Sequence, residues 1–158
     1  MRVNILWLGT LMLLLGAGGA VMAADPPEDE VKAELQKFQG TWVLVAGEMD
    51  GKKVAEEHVK ASKITFDGNK VMVDTPHQSH ETIVATIMKL DPTKTPKEMH
   101  WLRTTGPNAG TTMIAIYEFE GADQYKIRFD PVGKTVPKEF GPTEGTGHIW
   151  HTWRRVKQ

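Results

Sequence analysis

The chain has 158 residues, 40% hydrophobic and 25% charged, which fits one ordinary globular domain and excludes both a disordered chain and a two-domain protein. A formal net charge of -1 offers no general attraction for nucleic acid or for an anionic membrane surface. The complete lack of cysteine excludes disulfides, thiolate catalysis, cysteine-rich zinc sites and a lipidated N-terminal cysteine.

Met1 to Ala23 combine an early Arg2, an apolar run from Ile5 to Leu15 and a small-residue finish at Val21-Met22-Ala23. This order predicts a signal peptide over 1–23, cleaved near Ala23 or Ala24, and hence an exported protein, periplasmic or secreted, with no stable membrane insertion afterwards. An uncleaved anchor is the alternative, because Ile5 to Met22 is nearly long enough to span a bilayer; the glycines and small residues favour cleavage. Residues 24–39 form a helical lead-in. Pro27 suits a first helical turn and the acids around it suit the positive helix end. Val31, Leu35 and Phe38 then make one apolar stripe, as expected of a helix laid against a barrel end.

Gly40-Thr41-Trp42 opens a first strand that runs to Met49 and breaks at the turn dipeptide Asp50-Gly51. Lys53 to Ser62 has helical character and suits a cap or lid. Lys63 to Phe66 and Lys70 to Val73 flank Asp67-Gly68-Asn69, a tight hairpin by turn chemistry and alternation together. Glu81 to Leu90 is apolar on both faces, with Ile83, Ala85 and Ile87 on one side and Val84, Thr86 and Met88 on the other; Pro92 and Pro96 end it. Met99, Trp101 and Arg103 share one face of the next strand.

Thr111 to Phe119 and Gln124 to Phe129 form another hairpin about Gly121-Ala122-Asp123. In its second strand Tyr125, Ile127 and Phe129 point inward and Lys126, Arg128 and Asp130 outward. In its first strand two sets compete for the interior, Tyr117 with Phe119 and Ile114 with Ile116. Pro131 to Gly147 is the longest irregular stretch and a candidate cover for an opening. His148 to Val156 is the last strand. About eight antiparallel segments without a crossover helix predict an all-β fold over 40–158, an eight-stranded up-and-down barrel of the kind that holds one small ligand. A β-sandwich of the same strands is the alternative.

A Gly-x-Trp at the first strand with an arginine at the last resembles the lipocalin pattern in Gly40, Trp42 and Arg154 or Arg155. Leu35 to Trp42, Met49 to Lys53, Ile64 to Gly68, Lys89 to Lys94, Ile116 to Glu118 and Gly145 to His148 extend the resemblance over most of the mature chain. Together they resemble the lipocalin-like secreted domain family known mainly from planctomycetes. The resemblance implies a barrel and, since that family has no established activity, no particular function. Trp101-Leu102-Arg103 departs from it as a bulkier segment.

Gly40, Trp42, Trp153 and Arg154 are expected to close one end of the barrel, the arginine lying over the Trp42 ring. Trp101, Arg103, Tyr117, Phe119 and Tyr125 are the expected wall of a site for a small, mostly apolar ligand. The competing reading is a filled barrel whose protein partner docks on an outer strand face or on the 131–147 loop. No cofactor, metal ligand set or catalytic residue is assigned. A metal or enzymatic site built on several of His77, His80, His148 and His151, with Asp74, Glu81 or His100, is the weaker alternative. Spacing of three on a strand sends His148 and His151 to opposite faces. The only serines, Ser62 and Ser79, stand in no nucleophile elbow. Trp150 to Lys157 mixes aromatic and basic residues as single-stranded nucleic-acid sites do, but export and the near-neutral charge point away from that partner.

Overall fold

The computed structural model describes residues 25–76 and 79–157, so the expected signal peptide and His77 lie outside the described residues. In chain order the elements are α1 (Glu28–Phe38), β1 (Gly40–Met49), β2 (Lys52–Lys53), α2 (Glu56–Ala61), β3 (Lys63–Asp67), β4 (Lys70–Asp74), β5 (Ile83–Asp91), β6 (Lys97–Arg103), β7 (Thr112–Phe119), β8 (Gln124–Phe129) and β9 (Ile149–Arg155). From β3 onward each strand pairs antiparallel with the next, and β1 pairs with both β3 and β9. Every one of those eight strands therefore has two partners, which closes the sheet into a barrel and excludes the sandwich. The two-residue β2 only extends β1 through a hairpin, its turn made by Asp50 and Gly51, both at positive φ.

Alternation sorts the interior. Trp42 and Leu44 of β1, Ile64 and Phe66 of β3, Met99 and Trp101 of β6, Met113, Ala115 and Tyr117 of β7, Tyr125 and Ile127 of β8, and Trp153 of β9 are all buried in one core. The face of β7 that the sequence leaves open is thus the one carrying Tyr117. In β5 a bulge between Ile87 and Lys89 interrupts the alternation, so that Ile83, Ala85, Ile87 and also Leu90 face inward while Met88 is 61% exposed. A second bulge, between Leu44 and Ala46, brings the buried Gly47 opposite His151.

The 131–147 loop does not cover an opening. It lies along the outer wall of β7 and β8, where Val136 and Pro137 face Ile116, and Phe140 sits 4.8 Å from the ammonium of Lys126. This is why Ile116, Arg128 and Asp130 are buried although they point away from the barrel interior.

Candidate functional site

The two ends of the barrel differ. At the end where β1 begins, α1 acts as a plug. Phe38, fully buried, reaches Phe66, Tyr117, Phe119 and Tyr125 with ring centres 4.7 to 5.2 Å apart. The Trp42 indole N–H donates to the Phe38 carbonyl at 2.6 Å, which ties the last turn of α1 to the first strand. The Tyr125 ring stands edge-on to Trp42 at 4.8 Å.

Glu34, 3% exposed, points from α1 into the same end and receives Lys97 at 2.6 Å, Lys37 at 2.7 Å and the Tyr117 hydroxyl at 3.2 Å. Burial alone would raise its pKa; the hydrogen bonds and charges of the two lysines outweigh that and hold it below the ordinary value. Burial and the Glu34 carboxylate push Tyr117 far upward, and burial alone does the same to Tyr125. The Tyr125 hydroxyl has no hydrogen-bond partner.

The arginine that closes this end is Arg155, not Arg154. Its guanidinium lies 4.1 Å from the centre of the Trp42 ring and donates to the carbonyls of Gln39 at 2.6 Å and Lys37 at 2.5 Å. Arg154 is exposed. On β9 the inward parity runs Ile149, His151, Trp153, so residue 155 continues it and residue 154 faces away.

The opposite end stays open in part. A cavity runs there from mid-barrel to the rim, apolar except for Arg103 and His151, with Trp101, Met113, Phe129 and Ile83 among its walls. It is narrow, since the centre of a water-sized sphere can move through only about 20 Å³ of it. That is space for about one water molecule. The α2 segment borders the same end, with the flanking Val54 and its own Val59 packed against the core. Gly47 keeps this end passable for His151: a Cβ at that position would stand 2.8 Å from the imidazole Cδ2.

Two of the five expected wall residues, Trp101 and Arg103, line this cavity; Tyr117, Phe119 and Tyr125 belong to the plugged end instead. In an antiparallel barrel the end of β7 and the start of β8 lie level with the start of β1, so these three rings fall beside Trp42 and α1. Trp101 and Arg103 carry the polar chemistry. Arg103 is 5% exposed and Trp101 6%, yet the indole Nε1 of Trp101 and the Nε of Arg103 have no hydrogen-bond partner. Arg103 spends its Nη1 on the Pro107 carbonyl at 2.6 Å and its Nη2 on the thioether of Met113 at 3.4 Å. Burial lowers its pKa, with no carboxylate of the described residues opposing the shift. His151 and Met113 were not anticipated here, although the parity of β9 and the register Trp101 to Met113 carry the signal.

The chain was compared with models of known families, with curated proteins and with solved structures. It matches none of them. The function must therefore be read from the site. The cavity has aromatic walls, and two of its lining residues, Trp101 and Arg103, carry N–H groups without partners. His100 and His148 are not among the residues that line it. His148 sits on the outer wall, its Nδ1 accepting from Arg128 and its Nε2 bonded to Thr135 at 2.7 Å. His100 bonds Glu98 at 3.0 Å. Among the described residues no three His, Cys, Asp or Glu side chains group to hold a metal ion.

Proposed function

We propose that the mature protein is an exported, non-enzymatic carrier that binds one small, mostly apolar molecule at the open end of a lipocalin-like barrel. The observation that carries this reading is the asymmetry of the ends. One is packed solid by Phe38, Trp42, Tyr117 and Tyr125, and the other retains an aromatic cavity bordered by the short helix α2. Ligand sites are concave and mostly apolar with a few placed polar groups, and the lining of this cavity has that character. Export rests on the charged, apolar and small-residue order of residues 1–23.

The narrowness of the cavity favours a second reading, an interaction domain whose core is filled. The guest of the carrier reading must displace a side chain to enter. Met113 is suited to that, being unbranched and adaptable. The test is a titration of the mature protein with neutral apolar probes, from hexan-1-ol to N-phenylnaphthylamine, followed by tryptophan emission and thermal unfolding. Saturable one-to-one binding that raises the unfolding temperature, and that is lost in Ala85→Phe, supports the carrier. Probes that leave both signals unchanged would shift the reading to the interaction domain.

A further inference from the structure

The orphan donors at the open end identify what kind of guest the cavity takes. A guanidinium 5% exposed, with no described carboxylate beside it, is a buried charge without a counter-ion, and proteins rarely leave one so. Its donors are spent unevenly. Nη1 has a short bond to the Pro107 carbonyl, whereas Nη2 has only the Met113 thioether, a weak acceptor, and Nε has nothing. Nε and Nη2 form one edge of the planar guanidinium, and two parallel N–H groups on that edge match the two oxygens of a carboxylate. Trp101 lines the same cavity, its Nε1–H is also without a partner, and an indole N–H can only donate. The two buried side-chain atoms without partners among the cavity residues, Arg103 Nε and Trp101 Nε1, are therefore both donors.

We propose that the guest is a small monocarboxylate with an apolar body, its carboxylate held by the Nε and Nη2 edge of Arg103 and by Trp101 Nε1, and its body against Met113 and Phe129. The assignment rests on the carrier reading and narrows it from apolar molecules in general to anionic ones. Entry exchanges the weak contact between Arg103 and the Met113 sulfur for charge-assisted hydrogen bonds. The same step moves the adaptable Met113 side chain and enlarges the space.

The experiment is isothermal titration of the mature protein with three probes of equal length: hexanoate, hexan-1-ol and hexylamine. Hexanoate is expected to bind at least about tenfold more tightly than hexan-1-ol, and hexylamine most weakly. In Arg103→Met the advantage of hexanoate over hexan-1-ol disappears while hexan-1-ol still binds; in Trp101→Phe the advantage shrinks severalfold. Thermal unfolding of both variants shows that they are folded. Should Arg103→Met not fold, Arg103→Lys keeps the charge but lacks the two-pronged edge, and must lose most of the preference. Equal binding of hexanoate and hexan-1-ol to the unmodified protein, unaltered by these substitutions, would overturn the carboxylate assignment and leave the carrier reading intact. Failure of all three probes to bind would remove the carrier reading and this assignment with it.

Discussion

Arg155 lies flat over Trp42, with 4.1 Å between its guanidinium carbon and the ring centre, and the two residues face each other directly in the β1 to β9 register. One side chain thereby joins the first strand, the last strand and the end of α1. Its removal costs a cation–π contact and two charge-assisted hydrogen bonds to the carbonyls of Gln39 and Lys37. Arg155→Ala is expected to destabilise by about 2 to 4 kcal/mol. Arg154→Ala, at an exposed position, should stay within about 0.5 kcal/mol of the parent in the same urea titration. Equal effects would contradict the assignment of the closing residue.

The two buried tyrosines of the plugged end should respond in opposite ways to loss of their hydroxyls. Tyr117 donates to the Glu34 carboxylate, so Tyr117→Phe is expected to cost about 1 to 2 kcal/mol. Tyr125 buries a hydroxyl without a partner, so Tyr125→Phe relieves a desolvation penalty and should be neutral or stabilising by about 1 kcal/mol. Paired chemical unfolding curves decide it, and a destabilised Tyr125→Phe would show that its hydroxyl is satisfied.

Acid should loosen the 131–147 loop through His148. A guanidinium only donates, so the Arg128 Nε–H fixes Nδ1 of His148 as an acceptor, and the Nε2–H is left to donate to Thr135. Thr135 in turn donates to Asp130, and Arg128 holds the loop by the carbonyls of Glu139, Gly141 and Pro142. Burial and the Arg128 charge lower the pKa of folded His148 below its ordinary 6.5, against the opposing pull of Asp130. Between those two values the unfolded chain binds more protons, so this contribution to stability is full above about pH 7 and falls as pH drops through 6.5 toward the folded value. Urea midpoints from pH 5 to 8 should show that slope in the parent protein and a shallower one in His148→Gln. Identical slopes would exclude His148 as the sensor.

Much of the barrel was legible in local chemistry. Asp50-Gly51, Asp67-Gly68-Asn69 and Gly121-Ala122-Asp123 each mark a real reversal, and the alternation of Tyr125, Ile127 and Phe129 predicts their burial. What was missed lies at a longer range. A bulge shifts the parity of β5 by one residue and leaves no mark in a run that is apolar on both faces. Arg128 and Asp130 read as solvated because their alternation says only that they face outward, and the loop that buries them is seventeen residues without periodicity. The parity set by the buried Trp153 selects Arg155 over Arg154 as the residue that continues the inward face. The candidate site was half legible for a similar reason. Trp101, Tyr117, Phe119 and Tyr125 belong to the core or its edge and Arg103 lines the cavity, but the end of the barrel each belongs to follows only from strand order counted back to Trp42.

The carrier reading is tested most directly by native mass spectrometry of the protein purified without denaturation from its own host, with solvent extraction and identification of any released compound. The account predicts a near-stoichiometric adduct that dissociates as a single small, apolar carboxylic acid. A protein whose mass is that of the bare chain, and whose tryptophan emission no apolar probe shifts, would contradict it and indicate a filled barrel.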